Sequence, residues 1–212
     1  MPGKLGVVIG VVAMVLAIVA VIGPWWVMDT SASVGPLSMT GHSELGLFGG
    51  FGSFQMGSTS SSNTTNYNDA PHVGSVFTLA TVLLILGLII GVGMVVVGAM
   101  SGANPSLKRL GGVLGILAFL VVLVSTLYVM SSLPDAVNQD SGVAASGTTV
   151  SGFWGSKTTT VGSFAQATVT WAAGWGWYLA LVAAVVFLVA GVVLLLSRTP
   201  KMAMAPPMPP SP

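Results

Sequence analysis

The stretch LGVVIGVVAMVLAIVAVIGPWWVMDT, residues 5–30, decides the class of this protein. Leu5–Gly23 carries no charge and holds twelve Leu, Ile or Val residues. At about −0.4 kcal/mol each on an insertion scale, they contribute roughly −5 kcal/mol toward crossing a bilayer. The run is longer than the apolar core of a secretion signal, and Pro24-Trp25-Trp26 stands where a small-residue cleavage site belongs. It reads as a retained span. The two tryptophans at its end are either interfacial anchors or the first part of a motif completed further on.

Composition agrees with a membrane setting. Charged residues make up 5% of the 212, and the mean hydropathy is +0.92, against roughly 25% charged in a typical soluble chain. Eleven Lys, Arg, Asp and Glu residues cannot cover a water-exposed surface of this size, so lipid must solvate part of the chain. A net charge of +1 offers no basic face for nucleic acid. The absence of cysteine excludes disulfides, thiolate metal sites and a cysteine nucleophile.

Three further stretches match the first in length and character: 76–100, 110–130 and 172–197. Each reaches the roughly 20 residues needed to cross a hydrocarbon core, and helix is the open structure that satisfies its own backbone in lipid. The expected layout is a cytoplasmic N-terminus 1–4, span 5–23, outer loop 24–75, span 76–100, cytoplasmic turn 101–109, span 110–130, outer loop 131–171, span 172–197 and a disordered tail 198–212. Direction follows from charge. Lys4, Lys108, Arg109, Arg198 and Lys201 lie at one set of span ends. Asp29, Glu44, Asp69, Asp135 and Asp140 lie at the other, with Lys157 the one basic residue among them. The positive-inside rule then places both termini in the cytoplasm of a multi-pass cell-membrane protein.

Small residues recur along the spans as stripes, among them Gly87 and Gly91 in the second and Ala180 and Ala184 in the fourth. Gly6, Gly10, Ala13 and Ala17 mark the first, and Gly111, Gly115 and Ala118 the third. Such stripes let helix backbones approach in lipid. No Asp, Glu, Lys, Arg or His falls inside any of the four stretches, whereas pumps and ion-coupled transporters place ionisable groups there. The bundle reads as scaffold, with function in the loops.

Both loops carry β-like patterns. Phe48, Gly50, Gly52, Phe54 and Met56 alternate with Leu47, Gly49 and Phe51. In the second loop, runs around Phe153 and Trp154 flank Gly155-Ser156, which reads as a hairpin turn. Ser58–Asn68, rich in Ser, Thr and Asn, reads as a mobile connection. The expected class is an all-α membrane bundle of four transmembrane helices. Two outer loops, mainly 45–57 and 147–171, would add an extracellular β-layer.

Four spans, cytoplasmic termini, a first loop of about fifty residues, Trp25-Trp26 and then Gly46-Leu47-Phe48 resemble the claudin and peripheral-myelin-protein superfamily. That family carries a Trp soon after span one and a Gly-Leu-Trp further on, followed by two cysteines. Here Phe48 replaces the second aromatic residue and the cysteine pair is missing. The resemblance implies outer loops that contact other proteins.

Fainter signals remain. His42 with Glu44, and Asp69 with His72, have the donor types of a divalent-metal site, but polar loops carry such residues routinely and no metal or other cofactor is assigned. Asn63-Thr64-Thr65 is a glycosylation sequon. The expectation is a non-enzymatic scaffold. Its site residues are Trp25, Trp26, Gly46, Leu47, Phe48, Phe153 and Trp154, and its partners are lipid and other membrane proteins or copies of itself. The alternative is an accessory subunit lying against a larger membrane enzyme or transporter.

Overall fold

A computed structural model describes residues 2–102, 104–140, 149–161 and 165–197. The tail 198–212, with Arg198 and Lys201, lies outside the described residues, as does 141–148 of the expected second loop. Four helices are long and apolar enough to cross a membrane, as a multi-pass membrane protein requires. They are α1 (Pro2–Ile22), α2 (Pro71–Met100), α3 (Pro105–Gln139) and α4 (Trp175–Leu196). Among the described residues there are also six strands: β1 (Pro24–Val34), β2 (Leu37–Gly46), β3 (Gly50–Met56), β4 (Thr59–Thr65), β5 (Gly155–Val161) and β6 (Ala165–Ala173). All pair antiparallel in one sheet of order β4-β3-β2-β1-β6-β5.

This corrects the expected class. The chain is not an all-α bundle carrying a β-layer formed by two outer loops; strand makes up 28% of the described residues, in a single six-stranded sheet. Nor is the sheet an appendage. Only Gly23 separates α1 from β1, and only Gly174 separates β6 from α4. The two strands that continue these helices pair with each other from Trp26↔Ala173 to Val34↔Ala165. Two segments read otherwise from sequence are also strands. Thr59–Thr65, expected to be mobile, is β4, and Gly155-Ser156, expected to be a turn, opens β5 opposite Trp171 and Thr170.

The helices form a ring in which α3 packs along α2 and α4, and α1 packs on α4 and more lightly on α2. Alanines fill much of the interior, with Ala13, Ala17, Ala80, Ala118, Ala180, Ala183 and Ala184 fully buried beside larger residues such as Phe77, Leu84 and Phe187. Their outer faces present Val8, Ile18, Val82, Ile89, Val124 and Val185, each about half exposed, as a lipid-facing surface needs. Polar atoms inside are spent locally. The Ser125 hydroxyl donates to Ala80 O at 2.9 Å, and the Trp177 indole donates to Thr126 O at 2.9 Å.

Where bundle meets sheet, Asp140 at the end of α3 caps α2. Its carboxylate accepts from the backbone N–H of His72 (3.3 Å) and of Val73 (2.7 Å) and from His72 Nδ1 (2.7 Å). Burial alone would push the Asp140 carboxyl up, but these donors at a helix N-terminus outweigh it and hold the pKa below the usual carboxylate value. Asn138, two residues earlier, clamps Val150 from both sides: Val150 N–H donates to Asn138 Oδ1 at 2.8 Å, and Asn138 Nδ2 donates to Val150 O at 2.9 Å.

Candidate functional site

The sheet is the part of the molecule with chemistry to offer, and two tight hairpins, β1–β2 and β3–β4, help set its register. Val34↔Leu37 and Met56↔Thr59 each close a two-residue loop, Gly35-Pro36 and Gly57-Ser58. Gly35 (φ +59°) and Gly57 (φ +57°) supply the positive φ of the first central position, while Pro36 and Ser58 stay at negative φ. That is the type II′ pattern, whose twist matches the flanking strands. With the register set, alternation sends successive side chains to opposite faces.

One face is polar across its whole width. Thr170, Asp29, His42, Ser53 and Ser62 form one cross-strand row, and Thr168, Ser31, Thr40, Gln55 and Ser60 the next. They line a recess of about 550 Å³ whose floor is the peptide backbone between the rows. The opposite face carries large apolar side chains among smaller polar ones such as Thr30, Ser43 and Ser61. Trp26, Met28, Leu45, Val169 and Trp171 are buried toward the bundle, while Val34, Leu37, Phe54 and Met56 are exposed toward the hairpin tips.

His42 sits between two carboxylates. Its Nδ1 is 2.6 Å from Asp29 Oδ1 and its Nε2 is 3.1 Å from Glu44 Oε1. Hydrogen bonding to Asp29, and then to Glu44, raises its pKa above the ordinary 6.5. In the imidazolium form both ring nitrogens donate, which leaves no lone pair for a metal. Asp69 does not join His72, whose ring pairs with Asp140 instead. Any stability from the His42 cluster is present below pH 6.5 and fades as pH rises through the raised folded value. All three side chains are well exposed, so the effect on stability is small. The ring itself reports it: an imidazole NMR titration should give a midpoint above 6.5, moving down in Asp29→Asn. A midpoint at or below 6.5 in the native chain would show that the carboxylates do not hold the proton.

The tryptophan pair is not an interfacial anchor. Trp25 and Trp26 are 0% and 1% exposed. The Trp25 indole donates to Ala20 O at 2.8 Å, and the Trp26 indole to Phe153 O at 3.1 Å. Trp171 does the same for Gly152 O at 3.0 Å. Two indoles from neighbouring strands thus hold the segment Gly152-Phe153. Phe153 is buried, Trp154 is 44% exposed, and both rings meet Trp177 at 5.5 and 5.6 Å.

Gly46-Leu47-Phe48 follows the β2 residues that pair with the start of β1, Gly46 with Pro24 and Leu45 with Trp26. It forms the β2–β3 turn, closed by Gly46 N–H donating to Gly49 O at 2.9 Å. Leu47 is buried and Phe48 is 68% exposed. Tyr67 pins the turn: its hydroxyl donates to Gly46 O and lies 3.2 Å from Gly49 O, and its ring stacks on Phe77 at 5.4 Å. Burial pushes the Tyr67 phenol well above its usual value. Among the packing residues, Gly87 lies against Val122 and Gly91 against the edge of Phe187, with Ala180 and Ala184 buried on α4.

The reading of residue types missed Asp29, the partner that turns His42-Glu44 into a cluster, and the hydroxyl rows beside it. A usable signal was present in Asp29-Thr30-Ser31-Ala32-Ser33-Val34, where polar and less polar residues alternate. Compared with known protein families, the chain matches none, and no curated protein matches it.

Proposed function

We propose that this is a non-enzymatic membrane scaffold that holds its sheet on the outer side of the cell membrane and uses the sheet's apolar tip for contact with other membrane proteins or copies of itself. One observation carries the reading. Val34, Leu37, Phe54 and Met56 are 46%, 55%, 48% and 43% exposed on one face, at the end of the sheet farthest from the bundle. No Asp, Glu, Lys, Arg or His lies in 30–41 or 52–68 to break that surface. Contiguous apolar area of this kind marks interaction sites in soluble surroundings. The orientation rests on Lys4, Lys108 and Arg109 at the bundle end away from the sheet, with Asp29, Glu44, Asp69 and Asp140 at the sheet end. The resemblance to the claudin and peripheral-myelin-protein superfamily belongs to this proposal. Its support is the four-span layout and the positions of Trp25-Trp26 and Gly46-Leu47, without the cysteine pair.

Because the chain has no cysteine, a single introduced thiol is unambiguous. A thiol-attached photo-crosslinker on Leu37→Cys or Met56→Cys should give protein adducts in native membranes. The same probe on Val124→Cys, on the lipid side of α3, should give none. Adducts of self with self support assembly, and adducts with one larger enzyme or transporter support an accessory subunit. If neither tip position yields an adduct, the contact reading is wrong. Labelling of Ser106→Cys by a membrane-impermeant thiol reagent in intact cells would reverse the orientation.

A further inference from the structure

We infer that the polar recess on the opposite face of the sheet is a binding site for a neutral glycan segment. The inference needs the sheet to stand in water, but not any particular protein at its tip. Its basis is an array of unspent hydroxyls. Among the described residues, the side chains of Ser31, Thr40, Ser53, Ser60, Ser62 and Thr170 make no hydrogen bond, although all line the recess. They stand roughly 4.8 Å apart across strands and roughly 7 Å apart along them, on a backbone held rigid by the ladder. Each is both donor and acceptor. A ligand that satisfies such an array must itself offer donors and acceptors in both directions at similar spacing. A chain of sugar rings does.

Charge and backbone chemistry exclude the other classes. No Lys or Arg lines the recess, and His42 is already paired with Asp29 and Glu44, so phosphates, sulfated chains and nucleic acid meet a carboxylate with no unpaired cation to offset it. The lining side chains on this face are polar, so a lipid tail gains nothing by entering. An extended peptide recognises a sheet through free edge N–H and C=O groups. The floor strands β1, β2 and β3 are paired on both sides, and those groups are already used. Asp29, oriented by His42, faces the recess as a charged acceptor, the kind of group that takes two neighbouring sugar hydroxyls. On the same face one row nearer the bundle, Phe51 is 43% exposed and gives an apolar surface for the C–H side of a ring.

The test uses the full chain in nanodiscs, titrated with cellohexaose, maltohexaose and mannohexaose and read by saturation-transfer NMR and calorimetry. At least one should bind saturably, with Kd on the order of 1 mM or tighter. Thr40→Val keeps the shape and strand preference of threonine while removing the hydroxyl, and should weaken that binding roughly tenfold together with Thr170→Val. Thr30→Val, whose side chain lies on the opposite face, should leave it unchanged; Ser53→Ala serves if the valine variants do not fold. A heparin hexasaccharide should bind more weakly than the best neutral chain. The proposal is overturned if none of the three neutral chains binds up to about 10 mM, if Thr30→Val weakens binding as much as Thr40→Val, or if heparin or an uncharged Ser-Gly peptide binds better.

Discussion

Gly191→Val is expected to destabilise the bundle by about 2–3 kcal/mol, the upper part of the range for overpacking a close-packed interior. A Cβ at Gly191 would stand 2.8 Å from Gly112 O, 3.0 Å from the Ile116 nitrogen and 3.2 Å from the Gly115 carbonyl carbon. From the other side, a Cβ at Gly115 would lie 2.7 Å from the Gly191 Cα. All of these neighbours are backbone, which cannot rotate out of the way. α3 and α4 would have to separate, with loss of dispersion contacts that lipid does not replace. The contrast lies within the same bundle. At Gly10 the obstacle is the terminal methyl of Met94, the free end of a flexible side chain, and at Gly91 it is the edge of the Phe187 ring. Gly93 meets nothing closer than 3.6 Å, so Gly93→Ala should be neutral or stabilising, by up to about 1 kcal/mol of helix propensity. Thermal unfolding of the two variants and the native chain in one mild detergent decides the matter. Equal midpoints for Gly191→Val and the native chain would mean that the α3–α4 crossing is looser than drawn.

Trp26→Ala should cost about 3–5 kcal/mol, the range for deleting a buried aromatic side chain. It removes a ring that is 1% exposed, and it frees the Phe153 carbonyl that the indole holds at 3.1 Å. Trp26→Phe separates the two roles. An interfacial anchor accepts phenylalanine, because a ring at the headgroups is all it supplies. A buried indole does not, since the orphaned Phe153 O costs about 1–3 kcal/mol even when the ring is kept. Phe48→Ala, at a 68% exposed turn position, should be nearly silent. The double variant with Trp26→Ala should be additive, as expected when one ring is buried and the other points to the surface. Protease resistance of β5 and the segment before it gives the readout. If Trp26→Phe is as resistant as the native chain, the hydrogen bond to Phe153 carries no weight.

The predicted costs differ in how far sequence could foresee them. Gly115 was visible as a member of a small-residue stripe, yet so were Gly87 and Gly91. Which glycine meets backbone and which meets a yielding side chain depends on the helix crossing, and no spacing rule contains that. The tryptophans show the same division. Their place at the end of a span suggested headgroups, but burial and partner are properties of the neighbours: Ala20 O, Phe153 O and Gly152 O.

The sequence by itself determined that the chain lives with lipid and crosses it with four helices, because transfer of an apolar run is a sum over consecutive residues. It also separated basic from acidic ends, which is a matter of counting. Tertiary structure decided the sheet. β4, Thr-Ser-Ser-Ser-Asn-Thr-Thr, is exposed at every position and has no local reason to be extended; it is a strand because β3 presents an edge to it. β1 reads as loop until β2 and β6 flank it, and only then do Asp29 and His42 face each other from positions thirteen residues apart. Strand pairing takes its energy from partners distant in sequence. The recess, its hydroxyl rows and the apolar tip therefore exist only once the register is made.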